Sequence, residues 1–171
     1  MRYSAVLLVA AIAFTVSAEE KKGTKVTLGD ISSTTPATWV KEKAGKLRTA
    51  QFKLPKVGDD KEDAEIVVFA FGGGAKANIA RWKGQFKGGS EGKVTEMKIA
   101  GSEAHRLEID GTFTATALRP GVKVEPKKGY RGVFYYLVGS ENHYQVRLVG
   151  PAKTVKHYEK GFDEWMKGFK K

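Results

Sequence analysis

The chain has 171 residues and no cysteine, and its 30 lysines and arginines outnumber 19 aspartates and glutamates for a formal charge of +11. Without cysteine there are no disulfides, thiolate metal ligands, cysteine nucleophiles or lipid-bearing N-terminal cysteine, so the fold must be held by its core. The basic balance favours nucleic acid, anionic lipid head groups or acidic polysaccharide as partners, and equally favours plain solubility.

Residues 1–18 have the layout of a secretory signal peptide. Arg2 supplies the charge, residues 5–14 the apolar stretch, and Val16-Ser17-Ala18 the small-residue cleavage site. The apolar stretch is shorter than the roughly 20 residues of a spanning helix, and no second segment is long enough. Cleavage after Ala18 leaves residues 19–171 with 29 basic and 19 acidic side chains, a net charge of +10. That length is expected to form one domain.

Residues 19–24 are charged and aperiodic, a leader. Val26 and Leu28 alternate with Lys25 and Thr27 as a first short strand, Ser32 to Pro36 turn, Trp39 and Val40 offer an apolar anchor, and residues 41–46 form a basic connection. In 47–54 the alternation returns, with Ala50, Phe52 and Leu54 on one face. Pro55 ends that strand, and Gly58-Asp59 marks a hairpin connection. The stretch from Glu65 to Phe86 organises the rest. Residues 66–71 are apolar on both faces, as in a central strand, and Gly72-Gly73-Gly74 break it. From Ala75 the period changes to that of a helix, with Ala75, Ile79, Trp82 and Phe86 in one stripe and Lys76, Asn78, Lys83 and Lys87 off it.

Strands are expected over 94–99 and 104–114, the second with Leu107, Ile109 and Phe113 inward and Arg106, Glu108, Asp110 and Thr112 outward. Residues 115–129 make a long connection. Two further strands, 130–138 and 143–149, flank a hairpin turn at 139–142, with Tyr144, Val146 and Leu148 on the inner face. After Pro151 a helix over 152–169 carries Val155, Tyr158, Phe162, Trp165, Met166 and Phe169 on one stripe, with lysines opposite.

No constellation names a reaction. His105, His143 and His157 have no metal-ligand spacing, and the glycine turn before the first helix is followed by Ala75-Lys76-Ala77, without the Ser or Thr hydroxyl that follows the lysine of a phosphate loop. No catalytic residue, cofactor or metal site is expected. The one candidate site is a basic lip on the long connection, where Arg119, Lys127, Lys128 and Arg131 gather near Tyr130 as possible anion ligands.

The runs RTAQFKLP, AEIVVFAFGGG, ANIARWKGQF, IDGTFT, GYRGVFYYLVG and LVGPAKTV resemble a planctomycete-like family of secreted bacterial proteins over nearly the whole mature chain. The order of strands and helices also resembles the PsbP-like fold. That resemblance implies a single α+β domain: a mainly antiparallel sheet of about six to seven strands, with one central and one C-terminal helix packed on it as an α/β/α sandwich. It carries no catalytic residues across, and PsbP proteins are non-enzymatic accessory subunits. The expectation is therefore a secreted or periplasmic, non-enzymatic binding or accessory protein for an anionic envelope polymer or an envelope protein. No specific nucleic acid partner, cofactor or mature transmembrane segment is expected. Two alternatives stay open: a small-ligand carrier whose cavity is lined by Trp82, Trp165 or Tyr130, and a hydrolase-like enzyme using His105 or His143 in a cleft near 115–131.

Overall fold

The computed structural model describes residues 22–70, 72–116, 121, 123–140 and 142–171. Residues 1–18, expected to be a signal peptide, and Phe71 and Arg119 lie outside the described residues. The elements run β1 (Lys25–Leu28), β2 (Ile31–Thr34), β3 (Val40–Lys41), β4 (Ala50–Leu54), β5 (Ala64–Ala70), α1 (Ala75–Gly84), β6 (Phe86–Lys87), β7 (Lys93–Ile99), β8 (Ser102–Phe113), β9 (Lys127–Val138), β10 (His143–Pro151) and α2 (Ala152–Lys167).

One antiparallel sheet has the order β3-β4-β5-β10-β9-β8-β6, and β7 also pairs with β8. β5 is interior, between β4 and β10, as its two apolar faces require. β1 and β2 form a separate hairpin. Two backbone bonds, Ser32 N to Lys170 O at 2.8 Å and Lys170 N to Ser32 O at 3.1 Å, tie that hairpin to the segment after α2. With a helix on each face of the sheet, this is the α+β sandwich that the strand order implies.

The two faces are covered unequally. On one, α2 lays Val155, Phe162, Trp165 and Met166 against Phe52, Ile66, Val68, Val133 and Tyr135, and the β1–β2 hairpin adds Val26, Leu28 and Ile31. The Thr154 amide and hydroxyl at the start of α2 both donate to Asp60 Oδ2, at 2.8 and 2.7 Å. A carboxylate from the β4–β5 connection thus meets the positive end of the helix dipole. On the other face, α1 is short, and its capping Gly74 offers no side-chain oxygen. Its anchor is Trp82, stacked on Phe134 at 5.0 Å, with Leu107, Ile109 and Phe86 around it. Gly132 leaves the space for this packing: a Cβ there would stand 2.4 Å from the Phe134 ring and 2.9 Å from Phe86.

Three readings of side-chain direction change. Phe86 belongs to β6 rather than to the helix, though it joins the same cluster. Asn78 is buried: its amide nitrogen donates to Gly74 O at 3.1 Å, and Oδ1 accepts from Arg81 at 2.9 Å. Arg106, Glu108 and Asp110 do not face open water, because α2 brings acids to meet them. Arg106 holds Glu108 at 2.5 Å, Glu159 at 2.6 Å and Asp163 at 3.0 Å. Arg131 holds Asp110 at 2.6 Å and Glu159 at 2.9 Å, and the Tyr135 hydroxyl donates to Asp163 at 2.8 Å. Burial opposes ionisation of Glu159, but its bonds to Arg131 and Arg106 prevail and hold its carboxyl below the ordinary value.

Candidate functional site

Two of the four residues of the basic lip are ion-paired, Lys127 and Arg131. Arg119 lies outside the described residues, Lys127 is paired with Glu62 beneath Tyr130, and Arg131 is enclosed in the network under α2. Lys128 is exposed. Burial raises the Tyr130 hydroxyl pKa, and Glu62 accepts its proton at 2.9 Å.

The histidines do not assemble a catalytic set. His105 sits between Glu103, at 2.6 Å, and Glu96, at 4.0 Å. His143 stacks against Tyr136 with ring centroids 5.5 Å apart, and His157 lies on α2 beside Tyr158. Among the described residues no three histidines or carboxylates gather as metal ligands. Of the aromatic residues considered for a cavity, all three are packed in the two cores, Trp165 in one and Tyr130 and Trp82 in the other. Only Trp82 also presents an edge to a cavity among the described residues.

Trp82 edges a cavity of about 630 Å³ on the α1 face of the sheet, open to solvent. It forms because α1 covers the β8–β9 half of that face and stops short of β4, β5 and β10. The floor is Phe69 on β5 with Gln145 and Arg147 on β10, one wall is the last turn of α1, and the other is the loop before β4 that carries Arg48. The start of the long connection, at Ala115 and Thr116, closes a third side, where Thr116 Oγ1 accepts from Gln85 Nε2 at 2.7 Å. Phe69 and Gln145 are register partners, so the floor is a single cross-strand step.

The charges are one-sided. Among the described residues the lining carries Lys46, Arg48, Arg81 and Arg147 and no carboxylate or histidine. Glu65, on the same face of β5 as Phe69, is shared: Oε2 accepts from Arg48 at 3.2 Å and Oε1 from Arg147 at 3.4 Å. The Arg147 guanidinium lies 5.3 Å over the Phe69 ring. Among the described residues Arg81 finds only neutral partners, Gln145 Oε1 at 2.7 Å and Asn78 Oδ1 at 2.9 Å. Burial lowers the pKa of Arg81. Burial also lowers that of Arg147, where Glu65 opposes the shift and Arg48 and Arg81 reinforce it. Gln145 Nε2, Arg147 Nε and Gln85 Oε1 are buried without a hydrogen-bond partner among the described residues.

None of these cavity groups was singled out in the sequence except Trp82. They come from five separate stretches, and the one local signal was Gln145 and Arg147 breaking the outer face of an otherwise apolar strand.

No family model matches the chain, and no curated protein matches it by sequence. Solved structures do. Cyanobacterial PsbP (CyanoP) from Synechocystis sp. PCC 6803 superposes with a TM-score of 0.55 at 9% identity, over 92% of this chain and 97% of that one. LpqN, described as involved in cell envelope biogenesis of Mycobacterium tuberculosis, superposes with a TM-score of 0.53 at 12% identity, over 87% of this chain and 90% of that one. The fold is PsbP-like. Among the described residues no helix is long and apolar enough to cross a membrane.

Proposed function

We propose that residues 19–171 form an exported, non-enzymatic binding domain and that the cavity bounded by Trp82, Phe69 and Arg147 is its ligand site. The observation that carries this reading is the cavity itself, about 630 Å³ and open on one side, within the range of small-ligand sites. The reading joins two expectations from the sequence, a small-ligand carrier edged by Trp82 and a preference for something anionic. Export is supported by the pattern of residues 1–18 and by the envelope role stated for LpqN. A binding role is supported by a lining of cations and apolar groups, with no acid–base pair among its described residues.

Ligand-observed NMR against a library of small molecules tests the site. Hits must shift the Trp82 indole and Gln145 amide resonances of labelled protein; hits that shift only other residues, or none at all, refute it. Sequencing the N-terminus of protein recovered from outside the cytoplasm tests export, and a chain still beginning at Met1 refutes it.

A further inference from the structure

The lining narrows what the cavity holds. Lys46, Arg48, Arg81 and Arg147 face it, and the carboxylate bonded to two of them, Glu65, is shared between Arg48 and Arg147. Among the described residues Arg81 is bonded to neutral oxygens alone. Gln145 and Arg147 are two residues apart on β10, hence on one face and about 7 Å from each other. Arg81, fastened to Gln145, therefore stands near Arg147, and the like charges destabilise one another. Each guanidinium retains N–H groups that Glu65 and Gln145 do not use, and Arg147 Nε and Gln145 Nε2 have no partner among the described residues. Between these donors the surface is carbon, from Phe69, the Trp82 edge and Leu47 at the rim.

We infer that the cavity takes a small organic acid, with its anionic group between Arg81 and Arg147 and an apolar, ring-sized body against Phe69 and Trp82. The inference rests on the cavity being the ligand site. A cation or metal ion is repelled by the lining. A neutral apolar molecule leaves the arginine charges unrelieved. A bare inorganic anion leaves the carbon walls wet. A planar carboxylate or a sulfonate suits the guanidinium forks, whose paired N–H groups meet two oxygens at once. The site is recessed, so its chemistry is that of a single dissolved molecule rather than of a membrane surface.

The test uses two probes with the same rings. The full chain is titrated by fluorescence with 8-anilinonaphthalene-1-sulfonate, an aromatic anion, and with N-phenyl-1-naphthylamine, its uncharged counterpart. The expected result is one site per chain, with the sulfonate bound at least about tenfold more tightly. Arg81→Gln and Arg147→Gln are each expected to remove that preference while the uncharged probe still binds, which shows that the cavity survives. Lys153→Gln, remote from the cavity, is expected to retain it. Equal binding of both probes overturns the organic-acid inference and leaves the cavity as a ligand site. Failure of both probes overturns the site as well. Sulfonate binding that persists in the Arg81→Gln/Arg147→Gln double variant places the anion elsewhere and overturns the inference. So does sedimentation with phosphatidylglycerol vesicles by a protein that ignores the soluble sulfonate.

Discussion

The two faces of the sheet use arginine in opposite ways. Under α2, Arg106 and Arg131 are surrounded by Glu108, Asp110, Glu159 and Asp163, so each charge has more than one counter-charge. Beside α1, Arg48 and Arg147 share Glu65, and among the described residues Arg81 has no carboxylate bonded to it. Helix length explains the difference. The 16 residues of α2 span their face and bring their own acids, Glu159 and Asp163, whereas the 10 residues of α1 leave part of theirs open and include no acid. The closed face supplies stability and the open one keeps unmatched charge, which costs stability and gives a site something to bind with.

Deleting the anchor of the closed face tests this contrast most severely. Phe162 is fully buried against Trp39, Tyr135 and Trp165. Phe162→Ala is expected to lower the unfolding free energy in urea by about 4 kcal/mol. A loss under about 1 kcal/mol would mean that α2 is not the main anchor. Arg106→Gln leaves Asp163 without its arginine and Glu108 and Glu159 with Arg131 alone in a partly buried network, and is expected to cost about 2 to 3 kcal/mol, below the range for a fully buried pair.

Acid adds a second view of the same network. The Glu159 carboxyl titrates below its ordinary 4.5, so its contribution is whole above pH 4.5 and is lost as pH falls through the lower folded value. Glu159→Gln is accordingly expected to flatten the decline of stability on the acid side of pH 4.5, and an unchanged acid limb would refute the assignment. On the α1 face, Gly132→Ala forces a methyl group into the Phe134 ring and is expected to cost about 1 to 2 kcal/mol by thermal unfolding. The smallest effect sharpens the contrast most. Arg81→Gln is expected to change stability by less than about 0.5 kcal/mol, because it removes a charge that no carboxylate bonds. A loss as large as that of Arg106→Gln would erase the distinction between the faces.

Alternation made most of the sheet legible, since Phe52 and Leu54, Leu107 and Ile109, and Val146 and Leu148 each sit two apart and are all buried. The two helices followed from their 3.6-residue stripes, and the interior place of β5 from apolar residues on both of its faces. What alternation cannot separate is a polar residue facing water from one facing an acid on a helix 50 or more positions away. Arg106 reads identically in both cases, and its bonds to Glu159 and Asp163 span 53 and 57 positions. The cavity was hidden for a related reason. The Arg81–Gln145 bond joins residues 64 apart, so no local spacing announces it. The basic lip was visible because its residues are near one another in sequence, but Lys127 and Arg131 have distant acids as neighbours in the fold.

The pairing of Ser32 with Lys170 bears on when the chain can fold. The hairpin made at the start is clasped by backbone from beyond α2, and the Ser33 hydroxyl donates to Trp165 O across 132 positions. Loops that long close late, after the sheet has already drawn their ends together. A ribosome releasing this protein therefore hands over a chain whose final clasp awaits residue 170. A translocase that threads polypeptide in extended form would meet it in that still-open state.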